Sequence, residues 1–211
     1  MARLGQGRRR VLGSVLAAAF ALAPAAASVA GSDPPLPKSS AAAREVIGGP
    51  FSLIDQNGKA VTDVDFRRRF MLVSFGYRYC PDVCPTVLWR NTVALDLLGD
   101  LAVNVVPIMI SIDPERDTPE DLKHYASLYH PSLVALTGSP AAVTAAASEY
   151  RAFFEKRALP GNPADEYVVD HTTVSFLMGR DGLFLARIGY DETPEGVANR
   201  LRRYIESEPT Q

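Results

Sequence analysis

The sequence predicts an α/β domain in which strands alternate with helices, giving a mainly parallel sheet covered on both faces and closed by an antiparallel hairpin. Three observations carry this expectation. The run FMLVSFGY, residues 70–77, is continuously apolar and aromatic over strand length, as a buried central strand should be. Residues 84–98 place Val87, Leu88, Ala94, Leu95 and Leu98 at helical spacing, with Pro85 suited to a first turn. The pairs Thr118-Pro119, Ser139-Pro140 and Thr193-Pro194 each set a capping hydroxyl before a proline, so three more helices open there.

The remaining elements fall between these. FSLIDQNGKAV, beginning at Phe51, has short apolar runs on either side of Asn57-Gly58, a dipeptide that supplies the positive φ angles of a tight turn, and predicts an opening hairpin. VNVVPIMISI, residues 103–112, reads as a second buried strand; Pro107 has no N–H to give a ladder and points to an edge or a bulge. A short strand is expected over residues 133–136. A final hairpin is expected to pair VVDHTTVSFLM with LFLARIGY across residues 179–182. The order hairpin, strand, helix, strand, helix, strand, helix, hairpin, helix fits a thioredoxin-like fold with an N-terminal hairpin and insertions.

Of the 211 residues, 47% are apolar and 22% charged, which suits one globular domain with an appendage. A formal net charge of −2 and the lack of a basic patch with interleaved aromatics exclude nucleic acid as a partner. The appendage is N-terminal: MARLGQGRRR carries arginines and no acid, and residues 11–31 carry no charge. Residues 1–30 therefore read as a signal peptide or a membrane anchor. Small residues at Ser28 and Ala30, or Ala25 and Ala27, suit cleavage after the helix break at Pro24, while the apolar run is long enough to span a bilayer if retained. Residues 31–46, rich in Pro, Ser and Ala, read as a linker, and residues 47–207 as the folded domain. The chain is expected on the periplasmic side of the inner membrane, either soluble after cleavage or anchored by residues 11–30.

Cys80 and Cys84 are the only cysteines. A disulfide between them closes so short a loop that it would contribute only about 2 kcal/mol, and a core of this size has little need of it. They fall on a strand-to-helix turn, where backbone N–H groups and the helix dipole stabilise a thiolate, which serves both as nucleophile and as metal ligand. The usual dithiol exchange motif has two residues between its cysteines, whereas this pair has three. Positions i and i+4 share a helix face and can grip one ion.

A typical site needs a third donor, and the chain offers His124, His130 and His171. His124 and His130 flank an amphipathic helix and read as surface residues. His171, in VVDHTTVS, lies in the final hairpin, which in such a fold packs near the strand-to-helix turn. A satisfied structural imidazole is its other reading. A Cys, Cys, His set accepts zinc or copper; thiolates favour copper(I), imidazole accepts copper(II), and the donor chemistry leans to copper. The competing reading is an oxidoreductase in which the same thiols cycle through a disulfide. No proline occurs between Pro163 and Pro194, where a general thioredoxin would place its cis-proline.

Three motifs, GYRYCPDVCPT at residues 76–86, SIDPERDTPE at 111–120 and VVDHTTVSFL at 168–177, resemble in content and order those of the Sco/SenC family of copper-binding assembly factors for cytochrome c oxidase. The resemblance implies that Cys80, Cys84 and His171 bind copper(I) or copper(II), with Cys80 and Cys84 also able to form a redox-active disulfide. It implies a chaperone, not a turnover enzyme, that delivers copper to the CuA site of an oxidase subunit or reduces the thiols of that site. Its partners would be that CuA-bearing subunit, a thioredoxin-like reductant and another copper chaperone. Asp113 carries over as a supporting residue; from the residues alone, Asp113 and Asp117 read as loop and cap carboxylates. Pro81, Asp82 and Pro85 are expected to shape the loop. One departure is Arg78-Tyr79, where family members often carry a Thr-His or similar pair. Arg78 would either lower the pKa of Cys80 or dock an acidic partner.

Overall fold

The computed structural model describes residues 46–160 and 166–208; the expected signal or anchor and nearly all of the linker lie outside the described residues. The chain runs β1 (Ser52–Asp55), β2 (Ala60–Thr62), β3 (Phe70–Gly76), α1 (Val83–Leu98), β4 (Val105–Ser111), α2 (Pro119–Ser127), β5 (Val134–Thr137), α3 (Pro140–Glu149), β6 (Phe154–Ala158), β7 (Tyr167–His171), β8 (Ser175–Met178), β9 (Phe184–Ile188) and α4 (Pro194–Ser207). The three Ser/Thr-Pro signatures act as expected: Thr118, Ser139 and Thr193 accept the N–H groups of Asp121, Ala142 and Gly196. Among the described residues no helix is long and apolar enough to cross a membrane.

Seven strands form one sheet in the order β2-β1-β5-β4-β3-β8-β9. It is parallel only through β5, β4 and β3; β1 joins β5, and β8 joins β3, antiparallel. The expectation of a mainly parallel sheet is corrected accordingly, because each hairpin joins the parallel centre through a strand that runs against it and is itself antiparallel. At β4 successive side chains alternate between the faces. Met109 packs with Leu88, Leu122 and Tyr125 on one side. Ile108 and Ile110 join Phe75, Tyr150 and Phe176 on the other, where the three aromatic rings meet edge to face at 5.5–6.1 Å.

Three local expectations change. Pro107 lies at neither an edge nor a bulge but in β4, between β3 and β5. The Ile112 N–H bonds the Gly76 carbonyl on β3, so by alternation the Pro107 nitrogen faces β5, whose pairing with β4 starts only at Ile108 opposite Val134. The missing donor therefore falls where no ladder bond is due. In the opening hairpin only Gly58 takes a positive φ, +80°, and the Asp55 carboxylate holds the turn by accepting from the Asn57 and Lys59 N–H groups.

The largest difference lies in the stretch expected as one strand before residue 179. It is broken after His171: β8 joins the main sheet, while β7 pairs with β6 in a separate two-stranded sheet. No strand was expected at β6, whose sequence FEKRA leaves four of five residues exposed and so offers no apolar alternation to read.

Candidate metal centre

β3 ends at Gly76, and the chain turns through residues 77–82 before α1 begins. Asp82 at the N-cap makes no side-chain cap; its carbonyl accepts from the Thr86 N–H and hydroxyl, which shapes the loop. The free N–H groups of the first helical turn are served instead by sulfur: the Cys84 N–H donates to Cys80 Sγ at 3.4 Å. Cys80 is thus drawn to the helix start, and Cys84 sits within its first turn. Both are buried free thiols. A side chain on Gly76 would meet the Cys84 sulfur at 2.8 Å, so only glycine lets the sulfur settle against the strand end.

His171 reaches this pair from the last position of β7. Its Nε2 lies 3.3 Å from Cys84 Sγ and 3.9 Å from Cys80 Sγ. Nδ1 is 2.8 Å from the Thr172 carbonyl, which can only accept, so Nδ1 carries the proton and Nε2 presents its lone pair to the sulfurs. The Tyr77 ring stands edge-on to the imidazole at 5.9 Å, and its hydroxyl oxygen accepts the Val169 N–H at 3.0 Å. The three donor atoms lie within 4.8 Å of one another. They can therefore surround one ion at the ~2.0–2.3 Å typical of nitrogen and sulfur ligands.

Electrostatics separates the two thiols. The Cys80 thiol is held far below its ordinary range, against the cost of burial, first by the Cys84 S–H and then by the backbone N–H groups at the helix start. That hydrogen bond to the Cys80 anion, with burial and the neighbouring charge, pushes Cys84 up. One shared proton thus resides on Cys84. Arg78 is not the cause, contrary to one reading of the sequence: its guanidinium is 3.3 Å from Asp121 and 3.8 Å from Asp117, and it lies over the Tyr79 ring.

Asp113 is fully buried but stands apart from the three donors, paired with Arg116 and accepting from the Tyr167 hydroxyl at 2.7 Å. Asp117, equally buried, accepts from the Arg78 backbone N–H at 3.1 Å and the Ser111 hydroxyl at 2.6 Å, so it braces the cysteine loop. Burial pushes its carboxyl up against those two bonds. His124 is exposed and His130 half-buried, and neither joins the centre. The residues that reading the sequence passed over are Tyr77, Arg116 and Tyr167. Arg116 lies in SIDPERDTPE, a polar run whose two inner aspartates, Asp113 and Asp117, are buried.

A cleft of about 350 Å³ borders the centre; Cys80 and His171 line it, and Cys84 does not.

Comparison with known proteins agrees with this geometry. SenC of Rhodobacter capsulatus is 42% identical over 170 residues, spanning 81% of this chain and 76% of that protein. The mitochondrial SCO1 homolog 1 of Arabidopsis thaliana is 37% identical over 168 residues, 77% of this chain and only 49% of that protein, so the match spans about half of its length. The copper-bound structure of Bradyrhizobium japonicum ScoI is 44% identical, covers 75% of this chain and 99% of that one, and superposes with a TM-score of 0.70. The SCO1/SenC family model matches residues 39–206, and this chain belongs to that family.

Proposed function

We propose that this protein is a copper chaperone in which Cys80, Cys84 and His171 hold the ion and release it to the CuA site of cytochrome c oxidase. The observation that carries this reading is the convergence of two sulfurs and an unprotonated imidazole nitrogen within 4.8 Å, in a chain of the SCO1/SenC family with a copper-bound relative. Two thiolates suit copper(I), and the imidazole adds a donor that copper(II) accepts. With three protein ligands, a position stays open for an incoming ligand, so transfer proceeds by exchange through the cleft beside Cys80. Asp113 supports the centre from outside the donor set. The N-terminal charge and hydropathy pattern supports an exported protein, on the periplasmic side of the inner membrane, either cleaved or anchored by residues 11–30. Its partners are then the CuA-bearing subunit, a thioredoxin-like reductant that keeps the thiols open, and a donor chaperone.

One observation favours a second activity of the same pair. A thiolate at Cys80 beside a protonated Cys84 is the arrangement of a dithiol reductant, so reduction of the CuA cysteines is the alternative. Titration of the reduced chain with copper(I) and copper(II) separates them. The chaperone reading expects Cys80→Ser or Cys84→Ser to weaken copper(I) by more than the ~100-fold that losing an outer group can cost. It expects His171→Ala to change the copper(II) spectrum. An unchanged spectrum and affinity in His171→Ala, with CuA assembled normally in cells carrying that variant, would refute it.

A further inference from the structure

Arg116 stands where the cysteine half and the histidine half of the centre meet. Its guanidinium lies 3.7 Å from the ring centre of Tyr167 on β7, 4.9 Å from that of Tyr79 beside Cys80, and 5.9 Å from that of Tyr77 beyond β3. Nη1 donates to the Tyr167 carbonyl at 3.3 Å, and Nε pairs with the buried Asp113 carboxylate. The second Asp113 oxygen accepts from the Tyr167 hydroxyl at 2.7 Å. Carboxylate, guanidinium and tyrosine close a ring. A planar guanidinium stacked on one side chain and forked between a carboxylate and a carbonyl is held in one pose, which an ammonium does not reproduce.

β7 has few other polar fastenings to the body. Among the described residues, β7 pairs along its length only with β6. Its other attachments to the body are the Val169 N–H on Tyr77, the Val169 side chain in the core and the Tyr77 ring against His171. The cysteines, in contrast, are placed by β3 and α1, which belong to the main sheet and its cover. The two halves of the donor set therefore belong to different sheets and are joined by Arg116, by Tyr77 and by Val169 in the core.

We propose that Arg116 is a positioning residue that clasps β7 at Tyr167 and so presents His171, at the far end of the same strand, to Cys80 and Cys84. This rests on the copper reading above. Loss of the clasp frees the imidazole while leaving the thiols in place, so copper(II), which draws on the nitrogen, suffers more than copper(I).

The test compares full-length wild type, Arg116→Gln, Arg116→Lys and Tyr167→Phe, each reduced and loaded with either ion. Affinities are read by competition and nitrogen coupling by electron paramagnetic resonance of the copper(II) form. Arg116→Gln is expected to weaken copper(II) by about 10–100-fold and to lose most of the nitrogen coupling, with copper(I) shifted by less than about threefold. Arg116→Lys keeps the charge without the fork and does not restore the signal. Tyr167→Phe keeps the stacking but drops the bond to Asp113, and shifts copper(II) in the same direction by less; it carries the test if Arg116→Gln does not fold. Wild-type copper(II) affinity and nitrogen coupling in the folded variants, or an equal loss of both ions, would overturn the proposal. A wild-type chain without nitrogen coupling from His171 would overturn the copper reading, and this inference with it.

Discussion

Cys80 and Cys84 hang from a seven-stranded sheet whose members exchange backbone hydrogen bonds along their lengths, whereas His171 ends a two-stranded ribbon that meets the body through side chains. The sheet half is buried on both faces: every residue of β3, β4 and β8 is buried. In the ribbon only Val169 is. Backbone ladders resist local opening, while a ribbon held at a few side-chain points opens without unfolding the rest. The Cys80, Cys84 and His171 grouping thus combines a dithiol placed by the main sheet with a histidine placed by the ribbon.

Four experiments break or sharpen this contrast. The largest effect belongs to the sheet. Phe176 on β8 packs against Phe75 and Tyr150, and Phe176→Ala should cost about 3–5 kcal/mol in a denaturant melt. A loss under about 1 kcal/mol would show that the sheet is not the more rigid half.

Next in size is the pH dependence of copper binding by the reduced chain. Cys80 is held below its usual range and is already a thiolate near neutrality, while Cys84 is raised and keeps its proton. A ligating thiol must be deprotonated, so binding releases one proton from Cys84, and affinity should rise about tenfold per pH unit near neutrality. The sign follows from the raised group alone: as pH falls, protons compete for Cys84 and copper is lost. A hundredfold slope would mean that both thiols are protonated in the free protein, and a flat profile that neither is.

Tyr77→Phe comes third. It keeps the ring against His171 but leaves the Val169 N–H without its acceptor, a loss of about 1 kcal/mol confined to the ribbon. Hydrogen exchange should then quicken about fivefold in β7 and stay unchanged in β3; equal quickening in both strands would count against a separately held ribbon. The smallest effect is expected at the Arg157–Asp170 pair, which bridges β6 and β7 at the surface. Arg157→Ala should leave the melting temperature where it was, since exposed pairs are screened by solvent.

The same contrast governs what could be read from the sequence. β3, α1 and the three capped helices declare themselves because a continuous apolar run, a helical period and a hydroxyl before proline each have one natural structural outcome. The ribbon does not declare itself. FEKRA in β6 has no buried face, and β7 runs into β8 with no Gly or Pro between them, so one continuous stretch hides a change of sheet. That Cys80, Cys84 and His171 come together could be anticipated from residue type and from their places in the fold, since few side chains bind soft metals. Arg116 and Tyr167 were not, because an arginine in a polar loop and a tyrosine in a strand are ordinary until the fold sets one upon the other. Pro107 misled for a similar reason: its defect as a donor matters only toward the neighbour it faces.

Gly76 has a consequence for traffic through the centre. Because the strand end itself forms the wall behind the Cys84 sulfur, with no room there even for a methyl group, an ion cannot reach Cys84 past Gly76. The wider opening lies on the side of Cys80 and His171, where the cleft is. A partner that docks at the cleft meets those two side chains first and Cys84 last. Adding a methyl at Gly76 would wedge the innermost anchor outward and leave the doorway itself intact.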